Sequence, residues 1–256
     1  MPRNQFFKFK KFTINQDKCA MKVCTDACIL GAYVNVENAE RILDIGTGTG
    51  LLSLMVAQRV DTQIDAIEID EDAYNQAIEN VRNSPFSNQV SVFHSSIQEF
   101  TATSSQPFSF VEKDNRRYDW DEVKYPLIIS NPPFYQNSLQ SPDNQTNKAL
   151  HNTELSFDEL TDCVAKLLSK KGRFVVLLPY FETLEFVKIA QNKGLFLQHQ
   201  LNIRHDENKP FFRTISTFGF ERQDVVEIAE LKIWEENGKV YDQKFRELLK
   251  DYYLIF

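Results

Sequence analysis

The chain has 256 residues, 42% of them hydrophobic, and a formal net charge of −7. That charge excludes a protein coated with a uniformly basic surface for nucleic acid, because phosphate binding is chiefly a Lys/Arg counterion effect; any such contact must be local. No apolar run reaches the length of about 18 residues that a membrane span needs, and no apolar core of a secretory signal follows the N-terminal basic residues. Cys19, Cys24, Cys28 and Cys163 have neither zinc-knuckle nor redox-pair spacing, and the histidines are scattered. A cytoplasmic protein with reduced thiols and no metal site is expected.

The chain opens on "PRNQFFKFKKF", residues 2–12, where Arg3, Lys8, Lys10 and Lys11 alternate with phenylalanines and no acid is present. Two readings stand: a basic arm that touches phosphates, or an edge strand whose Phe6, Phe7 and Phe9 pack down. From residue 41 onward, strand-like apolar runs alternate with amphipathic segments, which predicts βαβ units around a parallel sheet. Strands are expected at 41–46, 63–70, 89–97, 125–131 and 173–179. Helices are expected at 50–60, 71–84, 156–172 and 181–194, the second with Ala73, Ala77, Ile78 and Val81 on one face. Ser156 and Glu159 form a capping pattern, and Gly194 closes the last helix.

Residues 101–124 are polar and irregular and read as an insertion, and 137–152 as a polar loop. Strands at 195–204 and 211–221 follow each other without a helix, which suggests an antiparallel hairpin at the sheet edge. The tail offers one more strand, an Asn237 and Gly238 turn and a short terminal helix. The expected architecture is α/β: a doubly wound, seven-stranded, mostly parallel sheet with a C-terminal antiparallel hairpin. It divides into a basic arm (1–20), the main domain (21–222) and an extension packed on it (223–256).

"LDIGTGTG" places Asp44, Gly46, Thr47, Gly48 and Gly50 where the first of these parallel strands passes into its helix. Glycines there let the backbone turn sharply and approach a ligand beyond the strand's carboxyl end. The spacing is neither GxGxxG nor a phosphate loop ending in Gly-Lys-Ser/Thr. Asp44 is unsuited to a neighbouring pyrophosphate but suits a ligand bearing an ammonium group. Glu68, at the end of the next strand, can accept hydrogen bonds from a ribose diol. Together these favour S-adenosylmethionine, although a tight βα turn can also bind nothing.

The stretch "LIISNPPFYQ" ends a buried strand in Asn131, Pro132, Pro133 and Phe134. Prolines stop hydrogen bonding at once and leave carbonyls without a neighbour. The Asn131 amide oxygen and the Pro132 carbonyl can grip both N–H bonds of an exocyclic amine, localising its lone pair, while Phe134 offers a stacking face. The bland alternative is a strand-terminating turn with a core phenylalanine.

In this order, "LDIGTGTG", "AIEID" and "ISNPPF" resemble the class I methyltransferases that modify amino nitrogens, over roughly residues 22–220. "KFKKFTINQDKCAMKVCTDACILGAYV" and the closing "FRELLKDYYLIF" are similar, more specifically, to the bacterial family that methylates the exocyclic N6 amine of adenine 37, just 3′ of the anticodon of a valine tRNA. The resemblance implies S-adenosylmethionine as cofactor, with Thr25 and Asp26 over its methionine end. It also implies that Asp44, Gly46, Thr47, Gly48 and Gly50 cradle the cofactor, that Glu68 and Ile69 meet the ribose side, and that Asn131 to Phe134 form the amine site. Relatives carry an acid after the third of these strands where this chain has Ser96; the Ser96 hydroxyl or the Ile97 backbone is the expected substitute. The insertion at 101–124 is longer than the family leads one to expect.

An Asn-Pro-Pro-aromatic corner accepts a carboxamide as readily as an aminopurine, so methylation of a glutamine in a protein such as a release factor is a rival, as is an adenine in another RNA or DNA. Glutamine methyltransferases carry a helical N-terminal domain, for which the residues ahead of the glycine turn leave no room. A non-catalytic binding module would need a damaged corner, and "NPPF" is intact. For tRNA docking, Arg3, Lys8, Lys10 and Lys11 are expected at phosphates, with the 137–152 loop ordering on binding. Neither a membrane nor an obligate protein partner is expected.

Overall fold

Runs such as "ILDI" and "LIIS" are apolar on both faces of a strand and demand cover on both sides. The computed structural model describes residues 4–19, 22–103, 124–133, 155–235 and 238–256. It opens with the hairpin Phe6–Lys8 (β1) and Thr13–Asn15 (β2), followed by Thr25–Tyr33 (α1), Arg41–Ile45 (β3), Leu51–Ala57 (α2), Gln63–Glu68 (β4) and Glu71–Arg82 (α3). Next come Val90–His94 (β5), Ile97–Thr103 (α4), Tyr125–Ser130 (β6), Phe157–Leu167 (α5), Leu168–Pro179 (β7) and Thr183–Asn192 (α6). Phe196–Arg204 (β8), Phe211–Gly219 (β9), Glu227–Lys232 (β10) and Gln243–Leu249 (α7) complete the described elements.

Eight strands form one sheet in the order β10-β8-β9-β7-β6-β3-β4-β5, and β9 alone runs against the rest. The expected seven strands are thus eight, because β10 from the C-terminal tail pairs in parallel with β8. Nor is the β8–β9 hairpin at the edge: β9 folds back between β7 and β8. The burial pattern explains both. Thr214, Ile215, Ser216 and Phe218 of β9 are buried and need neighbours on each side, whereas β10, with Glu227 and Glu230 exposed, tolerates an edge.

One face of the sheet is covered by α1, α2, α3 and α7 through Ile29, Leu54, Val81 and Phe245. The other is covered by α4, α5 and α6 through Phe100, Leu160, Val164 and Phe186. Strand residues alternate accordingly: Leu127 and Ile129 enter the first core, Ile128 the second. The capping box on α5 forms as expected, with Ser156 accepting from the Glu159 amide and Glu159 from the Ser156 amide. On α3, Ile78 is only half buried; the inward positions beside Ala77 and Val81 are Gln76 and Asn80, which bind the N-terminal segment through Lys18 N–H and the Asn15 backbone.

The N-terminal segment packs down. Phe9 and Phe12 are buried and stack 4.7 Å apart, with Tyr253 against Phe9 at 6.1 Å; Phe7 is half buried, but Phe6 keeps 52% of its surface in solvent. The chain's two ends are also joined by hydrogen bonds. Lys10 N–H donates to the Tyr252 carbonyl, its ammonium to the carbonyls of Lys250 and Phe256, and the Tyr252 hydroxyl to Met55 O. All four cysteines are unpaired, and burial pushes the Cys24 and Cys28 thiols up to about 12. Asn237, of the expected turn, lies outside the described residues, while Gly238 has a φ of 63°. No helix among the described residues is long and apolar enough to cross a membrane, and no cluster of His, Cys, Asp and Glu there has the makings of a metal site.

Replacing Phe9 by Ala is expected to destabilise the protein by about 3–5 kcal/mol, seen as a lower urea midpoint at unchanged slope. A change within a few tenths of a kcal/mol would mean that the N-terminal segment is draped on the core rather than part of it.

Candidate active site

In an open α/β sheet the ligand crevice lies at the carboxyl ends of the strands, where the order reverses. Here the chain lays β4 and β5 on one side of β3 and then returns with β6 on the other. The register aligns Ile45 with Ser130, so Gly46 and Asn131 leave adjacent strands at the same level. The Ser130 hydroxyl donates to the Ile45 carbonyl at 2.9 Å and ties the two corners together.

The glycine turn is held from both sides. The amides of Gly46 and Thr47 both donate to Ile67 O at 3.0 Å, and Gly48 N–H donates to Glu68 Oε2 at 2.8 Å. Gly46, Gly48 and Gly50 have φ of 69°, 57° and 81°, the left-handed region where a side chain is strained. Nothing lies within 4 Å of a Cβ built on Gly46 or Gly48, so conformation rather than crowding selects glycine there. Asn80 of α3 donates to the Thr49 carbonyl at 2.9 Å, fixing the far side of the turn.

Asp44 is fully buried behind the turn. Its Oδ2 accepts 2.6 Å hydrogen bonds from Thr47 and Ser53, while Oδ1 has no partner among the described residues. Burial raises the carboxyl to about 6, against the opposing pull of the two hydroxyls. An unpartnered buried carboxylate oxygen fits a cationic ligand group.

Glu68 accepts from the amides of Gly48, Ile69 and Asp70 at 2.8, 2.9 and 3.0 Å. A carboxylate offers about four acceptor sites, so one stays open; a ribose diol has room for one hydroxyl unless it displaces Gly48 N–H. Ile69 follows with 62% of its surface exposed, a flat apolar shelf beside the turn. The His94 Nε2, 3.0 Å from Ile69 O, donates to that carbonyl, and its ring stacks on Tyr74.

Asn131 carries the second unpartnered acceptor: its Oδ1 is buried with no hydrogen-bond partner among the described residues. Pro132 is buried and Pro133 exposed. Phe134, Arg3 and the 137–152 loop lie outside the described residues.

Other expected residues sit differently. Asp26 is buried and bound to the Arg213 guanidinium at 2.8 Å, so its charge is already paired, while Thr25 beside it is exposed. Ser96 caps α4 reciprocally with Glu99, accepting from its amide at 3.1 Å, and the Ile97 side chain is buried in the core. Lys10 binds the chain's own carbonyls, whereas Lys8 and Lys11 are exposed. Sequence reasoning missed Ser53, Asn80, Ser130 and Arg213. Polar residues on the inner face of α3 were a signal for Asn80; nothing local marked the others.

A glycine turn in front of a buried acid, a glutamate with an acceptor site open one strand over and an Asn-Pro corner across the switch are the arrangement of a class I methyltransferase, whose cofactor is S-adenosylmethionine. A family model described as O-methyltransferase matches residues 3–125, which takes in the glycine turn and Glu68 but ends before Asn131. A predicted O-methyltransferase from Agrobacterium tumefaciens shares the fold at TM-score 0.63 and 16% identity, over 88% of this chain and 96% of its own. A tRNA1(Val) (adenine(37)-N6)-methyltransferase from Dyadobacter fermentans is 46% identical over 100% of both chains, and one from Bacteroides fragilis 41% identical over 97% of this chain and 98% of its own. The chain belongs to the tRNA1(Val) (adenine(37)-N6)-methyltransferase family.

Because only ionised Asp44 attracts an ammonium group, S-adenosylmethionine affinity is expected to fall as pH drops through about 6. Asp44→Asn should weaken binding at pH 8 and abolish that pH step in calorimetric titration; a step that persists in the variant assigns it to another group.

Proposed function

We propose that this protein transfers the methyl group of S-adenosylmethionine to the exocyclic N6 amine of adenine 37 in the anticodon loop of tRNA1(Val). The observation that carries the acceptor chemistry is the buried, unpartnered Oδ1 of Asn131 beside the glycine turn. Leaving such an acceptor unpaired costs about 1–3 kcal/mol, which an incoming N–H donor relieves.

When bound, S-adenosylmethionine supplies an electrophilic methyl group on a sulfonium. The turn from Gly46 to Gly50 would hold its amino-acid part, Asp44 its ammonium charge, Glu68 a ribose hydroxyl and Ile69 a face of its base. Thr25 would meet the methionine end, with Asp26 acting through Arg213. With Ser96 held in its cap by Glu99, the Ile97 backbone would meet the adenine.

On the acceptor side, Asn131 Oδ1 and the Pro132 carbonyl each accept from one N–H of the adenine amine. That grip turns the nitrogen lone pair out of conjugation and aims it into the crevice. It strengthens as the nitrogen gains positive charge, so it favours the transition state over the ground state. No strong base is required: the proton is acidic once the nitrogen is charged, and passes to solvent. Phe134 is the stacking face for the base. An anticodon-loop base is unpaired and turns into such a pocket at lower cost than a duplex base.

Phosphate contacts fall to Arg3, Lys8 and Lys11; Lys10 is committed to the C-terminal carbonyls. A tRNA substrate supports a cytoplasmic location.

With tritiated cofactor, bulk tRNA is expected to be labelled and release factor not; labelled protein with unlabelled tRNA would replace the adenine by a glutamine carboxamide. Asn131→Ala should lower turnover about 100-fold or more while cofactor affinity stays within about twofold. A variant that turns over normally removes the amine grip from the mechanism.

A further inference from the structure

Immediately past β7 the chain leaves two large apolar groups in water: Phe181 is 80% exposed and Leu184, one helical turn on, 74%. Adjacent exposed side chains of this size need an explanation when they border a ligand site. The Phe181 ring meets Tyr180 edge-on at 5.7 Å and 80°; Tyr180 packs on Phe211 at 5.4 Å, and its N–H donates to Phe212 O at 3.2 Å. The exposed ring is therefore backed by a fixed aromatic corner.

The register places that corner next to the acceptor site. β6 and β7 are parallel neighbours with Ser130 opposite Val176, so Asn131 lies level with Leu177 and the chain emerges at Tyr180 from the same sheet edge. With strands about 4.8 Å apart and residues rising about 3.3 Å, Phe181 lies within about 15 Å of Asn131. A splayed single strand covers that distance in two or three nucleotides. Along the exposed face of α6, Lys188 follows Leu184 four residues on, about 6 Å along the axis, and forms no ion pair among the described residues.

We propose that Phe181, Leu184 and Lys188 form a docking stripe for the unpaired nucleotides that flank the target adenine: a base stacks on Phe181 against Leu184, and the following phosphate meets Lys188. The proposal rests on the RNA reading above. A flat ring flanked by an aliphatic side chain and a lysine fits a base and its phosphate better than a peptide, because every base has a π face and unpaired bases are held by stacking on aromatics. Glu185 on the same turn makes a purely electrostatic RNA contact unfavourable, so stacking carries the interaction and Lys188 its salt-dependent part.

Steady-state kinetics with full-length tRNA test this. Phe181→Ala is expected to raise KM for tRNA about tenfold, with kcat and KM for S-adenosylmethionine unchanged. Phe181→Tyr should restore KM, whereas Phe181→Leu, apolar but not planar, should not. Lys188→Gln should flatten the salt dependence of KM for tRNA. A Phe181→Ala enzyme with the wild-type KM for tRNA, or a Leu variant as good as Tyr, overturns the stripe while leaving the reaction in place. A wild-type enzyme that leaves tRNA unlabelled overturns the RNA reading itself and the stripe with it.

Discussion

The parallel pairing of β3 with β4 on one side and β6 on the other is the constraint on which the rest of the site depends. It brings three strand ends to one level, so the turn after Ile45, the carboxylate of Glu68 and the Asn131 corner lie side by side at one edge of the sheet. Because side chains alternate with period two, a slip of one residue would send Asn131 and every core residue of β6 to the wrong face. The Ser130 hydroxyl on Ile45 O and the Gly48 amide on Glu68 lock that register where it matters, at the open ends of the strands.

At these strand ends two of the buried acceptors without a partner among the described residues lie on adjacent strands. Asp44 has one oxygen saturated by Thr47 and Ser53 and the other empty; Asn131 has its carbonyl oxygen buried and free among the described residues. Each would be filled by a group of opposite character, a cationic ammonium or a polarised amine. Both sit on stiff supports, a left-handed glycine turn and a proline pair, which prevent the backbone from relaxing to satisfy them internally.

The chain's ends contribute to the same frame. Asn15 of the N-terminal hairpin binds Asn80, and Asn80 binds Thr49 of the glycine turn, so the segment around Phe9 and Phe12 is coupled to the cofactor loop. Lys10 closes the same segment onto the last carbonyls of the chain. A basic residue that looks free in the sequence is thus spent on cohesion, and the arm is a wall of the domain.

By itself, the sequence determined what local chemistry can specify. The alternating apolar runs set the parallel sheet, the glycine spacing set the turn and excluded phosphate-binding loops, and Asn-Pro-Pro marked the end of β6. These were legible because they depend on period, backbone freedom and the missing N–H of proline, all properties of neighbouring residues. Tertiary structure alone decided the placement of β9 inside the sheet, the parallel pairing of the tail strand β10 with β8, the pairing of Asp26 with Arg213 and the capture of Lys10. Each of these joins a side chain or strand to a partner that only folding brings within reach: Asp26 and Arg213 are 187 residues apart, Lys10 and Lys250 are 240 apart, and the β9 neighbours are chosen by burial on both faces rather than by the turn that precedes it.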